Sequence, residues 1–266
     1  MYQSTEENLH KAAQFIALCG KNFSENKPDD SHTTARWVPK DLAMESVPLT
    51  IKGDTYTLAV AVKEFELQFK KATSTVEHSI DLQNAKVAKV IAAIQQWSGV
   101  TKEQWESLHY DLPKGYFEPE TVLNLPDDQA LYDWIMNRNF ANEGLERLNE
   151  ILNKESPVLI WPHHFDTGTH YTYAMDGNTE TRAIGAGLAI ADGMVDEPYF
   201  YLYGHRSDGA IEYGNRPELS KGKWIISENW QGAVLPISAL SQVDKALPVI
   251  ERYFQEAGLF LAKAMQ

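Results

Sequence analysis

Cysteine is almost missing from this chain: Cys19 is the only one in 266 residues. That rules out an intrachain disulfide and a Cys-based zinc cluster, and it fits a reducing, cytoplasmic compartment. Basic runs are missing as well. Lys and Arg number 24 against 37 Asp and Glu, a net charge of −13. An acidic surface repels phosphate backbones and anionic lipid, so neither nucleic acid nor a membrane is an expected partner. No apolar run is long enough to span a bilayer; the longest, Ala183 to Ala191, carries two glycines. The polar, acidic opening from Met1 to Glu7 does not read as a signal peptide. There is no phosphate-cradling loop and no Gly-x-Ser-x-Gly. Gly185-Ala186-Gly187 is followed by Ile190 where a dinucleotide fingerprint needs Gly or Ala, so no nucleotide cofactor is expected.

What is present is periodicity. Ser4 and Glu7 match a capping box, Leu9, Ala12, Ala13, Ile16 and Cys19 recur at helical spacing, and Gly20 is positioned to close the helix. Residues 21–34 read as loop. From about 46 to 82 the period drops to two. Thr50-Ile51 and Tyr56 to Val60 flank Gly53-Asp54 as a hairpin, followed by strands through Phe65, Leu67, Phe69 and through Val76, His78, Ile80, Leu82. Val87, Val90, Ile91, Ile94 and Trp97 form a helical stripe before Gly99, and Thr101 with Gln104 suggests a short helix carrying Trp105 and Leu108. Pro113, Gly115, Pro119 and Pro126 mark a long loop, either a lid or the boundary of two halves. A helical region from Asp127 to Leu152, broken near Asn139-Phe140, precedes strands near 157–165, 169–174, 182–191, 197–205, 223–228 and 232–237. A last helix runs from Ser241 to Lys263 past Pro248. The order helix, strands, helices, strands, helix predicts an α+β fold with largely antiparallel sheet. We expect a single domain over 1–266, divisible into two similar α+β halves, about 1–125 and 126–266.

Chemistry concentrates in Trp161-Pro162-His163-His164-Phe165-Asp166, at the end of the apolar run Val158-Leu159-Ile160. On a strand, His164 and Asp166 share one face, and His163 shares the other with Trp161. If Asp166-Thr167-Gly168 turned the chain back, His170 would join His164 and Asp166. A carboxylate beside imidazoles suits general-base chemistry or a metal with nitrogen and oxygen ligands. The plain alternative is that Asp166 caps a turn and His164 bonds to it. Phe165 to Thr169 also matches the short signature of aspartic proteases, but that chemistry needs a second aspartate motif, and none occurs.

A second feature is the alternation of Tyr199, Tyr201, Tyr203 and His205 on one face of a strand, with Phe200 and Leu202 on the other. Three phenols in a row could line a pocket for a small polar molecule, or simply suit a half-exposed strand. Glu228 and Trp230 end another strand and could add an acid and a stacking platform. His78 lies on an apolar face, where a satisfied core histidine is the ordinary reading; His10, His32 and His109 give no pattern.

The succession His164-Phe165-Asp166, Gly187-Leu188 with Asp192-Gly193, Glu197 to Tyr201, and Leu235-Pro236 resembles a bacterial family of unknown function, domain-of-unknown-function family 5996, most clearly over about 157–240. Leu188 stands where that family favours an aromatic, and Gly204-His205 where it tends to proline. The resemblance implies recurring positions at His164, Asp166 and Tyr201 and no activity. The expectation is therefore a pocket lined by His, Asp and Tyr, catalytic through His164, Asp166 and His170. Its ligand contacts would be His163, Tyr199, Tyr201, Tyr203, His205, Glu228 and Trp230. A hydrolase-like or acid/base enzyme and a non-catalytic small-molecule binding or purely structural domain are both open, as are a bound metal and the oligomeric state.

Overall fold

The computed structural model describes residues 2–71, 75–125, 128–241 and 245–266. Pro126, Asp127 and residues 242–244, used above to bound a loop and two helices, lie outside the described residues. Among the described residues the fold is mixed α+β: four α-helices and twelve strands, every described strand pairing antiparallel. No helix among them is long and apolar enough to cross a membrane. The chain forms two compact units, residues 1–136 with 160–165, and residues 137–159 with 166–266.

In the first unit, α1 (Tyr2–Phe23) lies on β2 (Ala43–Ser46), β3 (Leu49–Ile51) and β4 (Asp54–Ala61). The sheet continues from β4 to β5 (Glu66–Lys71) and β6 (Val76–Asp81), and on its other side from β2 to β1 (Ala35–Val38) and β7 (Leu159–Trp161). The β3–β4 hairpin turns at Lys52 (φ 53°) and Gly53 (φ 85°), one residue earlier than Gly53-Asp54. α2 (Val87–Ser98) ends as expected at Gly99 in the left-handed region. Strands β1 and β2 escaped the pattern because each has only four residues, too few for a period to show.

Gly20 does not end α1, which runs on to Phe23. It is buried, and a Cβ there would stand against the carbonyl oxygen of His32, so its missing side chain admits the 3-10 turn Ser31–Thr33. The short helix expected at 101–108 is absent. Gln104 Oε1 accepts from the Thr101 amide and closes a single turn.

In the second unit the strand order is β11 (Lys223–Ile226), β12 (Gln231–Pro236), β10 (Tyr199–Arg206), β9 (Thr179–Ala189), β8 (Asp166–Asp176). One face packs against α4 (Ala246–Ala264) and the later part of α3 (Asp128–Leu152), through Leu145, Leu148, Ile184, Phe200, Leu202, Phe254 and Leu261. α3 is continuous through Asn139-Phe140. The division between units falls inside this helix rather than near residue 125, so the long loop after α2 belongs wholly to the first unit.

Candidate functional site

The Trp161–Asp166 motif begins at a strand end, as expected, but residues 162–165 form a turn rather than continuing the strand. β7 stops at Trp161, the Phe165 amide donates to the Trp161 carbonyl at 2.7 Å, and Phe165 adopts a left-handed φ of 57°. Such a backbone is unfavourable for a bulky residue, and burial offsets it. The Phe165 ring is fully buried, stacked on His10 (centroids 4.9 Å, 9°) and on Trp134 (5.9 Å, 16°). Pro162 turns its carbonyl toward α1, where His10 Nε2 (2.7 Å) and Gln14 Nε2 (2.8 Å) donate to it. A carbonyl only accepts, so Nε2 of His10 carries a proton, and Nδ1 hydrogen-bonds the Tyr116 hydroxyl at 2.9 Å, which also reaches the Glu7 carbonyl at 3.3 Å. The buried polar groups of the motif are thus used in holding the turn against α1.

His163 and His164 themselves are exposed. Their rings lie 4.3 Å apart, and His164 makes no hydrogen bond among the described residues. Alternation along a strand does not apply to a turn, and the expected His164–Asp166–His170 group is not assembled. Asp166-Thr167-Gly168 opens β8 instead of reversing the chain. His170, opposite Gly185 on β9, is exposed, and its Nε2 lies 2.9 Å from the Glu180 carboxylate. That imidazole and the Thr172 hydroxyl hold Glu180 below the usual carboxylate range against the opposing effect of partial burial, the largest single influence on it.

The tyrosine row is where alternation places it. Tyr201 Oη donates to Asp166 Oδ2 at 2.5 Å and Tyr199 Oη to Asp192 Oδ2 at 2.8 Å. Burial first, and the facing carboxylates second, push both phenols up. Their rings need the glycines of β9. A Cβ on Gly187 would meet Tyr201 Oη at 2.7 Å, and one on Gly185 would overlap the Tyr203 ring. The glycine pair that mimics a nucleotide fingerprint is therefore a bed for two phenol rings. Tyr199 is further covered by Val195 and Val234, with Met194, Ile225 and Trp230 around them. Glu228 is exposed in the turn between β11 and β12, and His205, also exposed, lies near Glu180 and helps lower that carboxylate's pKa. Of the expected ligand contacts, the structure brings together Tyr199, Tyr201, Tyr203 (stacked on Tyr201, centroids 6.2 Å) and Trp230, and joins Asp166 to Tyr201. No group of three or more His, Cys, Asp or Glu able to hold a metal ion occurs among the described residues.

Comparison with protein-family models, curated proteins and solved structures gives no match to this chain. The likeness to family 5996 therefore stays one of motif residues.

A cavity lies elsewhere, in the first unit. A cleft of about 580 Å³ opens between α2 and the loop 101–119. Its helical wall is Val87, Ala88, Ile91, Ala92 and Gln95, and Ala88, Ile91, Ala92 and Gln95 are left uncovered because α2 buries a different stripe that includes Val90 and Ile94. The facing wall includes Trp105, Leu108, Tyr110 and Phe117. Phe117 and Trp105 are braced from behind by Phe15 and Phe23 of α1. The loop is fastened to α1 along its length. Asn22 exchanges two hydrogen bonds with the backbone of Glu106, Tyr110 donates to Gln14 Oε1 at 2.7 Å, and Tyr116 reaches His10. Burial raises both phenols, with Asp30 adding at Tyr110 and Glu7 and Glu6 at Tyr116.

Several cleft residues stand out in the sequence as parts of elements, Val87 and Ile91 on a helix, Trp105 and Leu108 on an expected short helix, Pro113 and Pro119 in a loop, but none as part of a site. A readable trace did exist: Glu6, His10 and Gln14 form a polar stripe at i, i+4, i+8 on α1, and all three are buried. Polar groups in that position need partners, and two of them hold the loop and the Pro162 turn.

Proposed function

We propose that this protein binds a small, largely apolar molecule in the cleft between α2 and the loop 101–119, without chemistry on it. One observation carries the reading. The cleft's volume of about 580 Å³ sits within the roughly 300–1,000 Å³ of small-molecule sites, and such sites are mostly apolar with a few polar groups. The walls fit that description, and the bracing of Trp105 and Phe117 from α1 supplies a preformed surface that needs little ordering on binding. The acid/base alternative has less behind it. Asp166 and Tyr201 engage each other, His170 engages Glu180, and His164 stands in an exposed turn.

The test is a thermal-shift screen of metabolites and fragments against the wild-type chain and Ala92→Trp. Ala92 is exposed on α2 and lines the cleft, so the larger side chain fills the cavity and spares the core. A ligand at a hundred times its Kd adds about 2.7 kcal/mol to stability. Compounds that raise the wild-type Tm should lose that effect in the variant. Equal stabilisation of both proteins would place the ligand elsewhere and end this reading.

A further inference from the structure

On the reading that the cleft is a ligand site, we infer that its ligand is an organic cation: an apolar body carrying an ammonium group. Three features of the lining point there. Its titratable carboxylates, Asp111 and Glu118, outnumber its one ammonium, Lys102. Neither carboxylate has a side-chain hydrogen bond or ion pair among the described residues, whereas three nearby acids have partners. Glu120 pairs with Lys86, Glu106 with Lys21 and Asp30 with His109. Two exposed, unmatched acids in the lining of a largely apolar cleft leave attraction for a positive charge unspent.

Aromatic rings are the second feature. Trp105, Tyr110 and Phe117 all line the cleft. The electron-rich faces of such rings attract ammonium groups, most strongly where water is partly excluded. The third is the field at longer range. With 37 acidic against 24 basic side chains, the chain draws cations and repels anions before contact. A carboxylate-bearing ligand would have only Lys102 to meet it.

Three matched probes separate the ligand class from the site: 4-phenylbutylamine, 4-phenylbutanol and 4-phenylbutyrate, titrated calorimetrically into the full chain. Binding in the order amine, alcohol, acid is expected. Asp111→Asn with Glu118→Gln should weaken the amine by roughly threefold to tenfold and leave the alcohol within about twofold. Added salt should weaken the amine alone. These acids are exposed, so the double variant keeps the fold, and its Tm serves as the check. If the alcohol or the acid binds as tightly as the amine, the cation inference is overturned while the site stands. If none of the three binds the wild-type chain, or if Ala92→Trp leaves amine binding intact, the site reading fails and takes the inference with it.

Discussion

His78 is a single ring whose surroundings make a stability prediction. It stacks on Trp97 with centroids 5.0 Å apart and planes at 6°, and its Nε2 is buried without a hydrogen-bond partner among the described residues. The satisfied core histidine expected there is not found: the residue is half-buried on the edge strand β6, and its buried nitrogen has no partner among the described residues. Burial lowers the ring's pKa. The unfolded chain, with an ordinary histidine pKa of about 6.5, therefore binds the proton more readily than the folded one. This contribution to stability is intact above that value and is lost as pH falls from there through the lowered folded-state pKa. Urea melts between pH 7.5 and pH 5 should show the loss, and His78→Phe, which keeps the stack and removes the titration, should flatten it. An unchanged pH slope in the variant would assign the effect to other groups. Phe165 and His10 teach a related lesson. A motif that looks reactive in one dimension is used to lock a left-handed turn between two aromatic faces.

Helix α1 shows how packing overrides local preference. In an exposed helix, Gly20→Ala would add about 1 kcal/mol by removing backbone freedom from the unfolded chain. Here the new methyl would press on a backbone carbonyl, that of His32, which cannot swing aside as a side chain can. Overpacking of this kind costs about 1–3 kcal/mol, so the steric term should win. Gly20→Ala is expected to lower the Tm, and a rise would mean that the Ser31–Thr33 turn shifts freely. The same logic governs β9, where Gly185 and Gly187 weaken a strand by propensity yet make room for Tyr203 and Tyr201. α2 illustrates the opposite case. It carries apolar residues on two stripes, and only one is consumed by the core, which leaves the other as a cleft wall.

At the scale of the whole chain, neither compact unit is one continuous stretch. The chain passes between them inside α3, after Leu159 and after Phe165. The first unit borrows residues 160–165 from far along the sequence, and with them the strand that pairs with β1 at Ala35–Ile160 and the ring stacked on His10. A fragment ending at residue 136 should therefore lack both. It loses the burial of Phe165, about 3–5 kcal/mol for a phenylalanine, and exposes β1 as an unpaired edge. We expect such a fragment to elute as aggregate in size-exclusion chromatography where the full chain does not. A monodisperse, cooperatively melting fragment would show that 160–165 is dispensable to that unit.

The class of fold, the hairpin at 49–61, the span of α2 and the shared face of the β10 tyrosines could all be read from the order of residues, because each depends on a local period or a turn residue. The site could not. Whether a stripe of α2 is covered, where the Pro162 carbonyl points, and which acid meets Tyr201 depend on segments far apart in the chain. Alternation forecasts the face of a side chain only while the strand lasts, and β7 stops at Trp161, before the residues whose roles were inferred from it. Periodicity records which surfaces an element offers. Which of them remain open is a matter of what packs against them, and no local pattern holds that information.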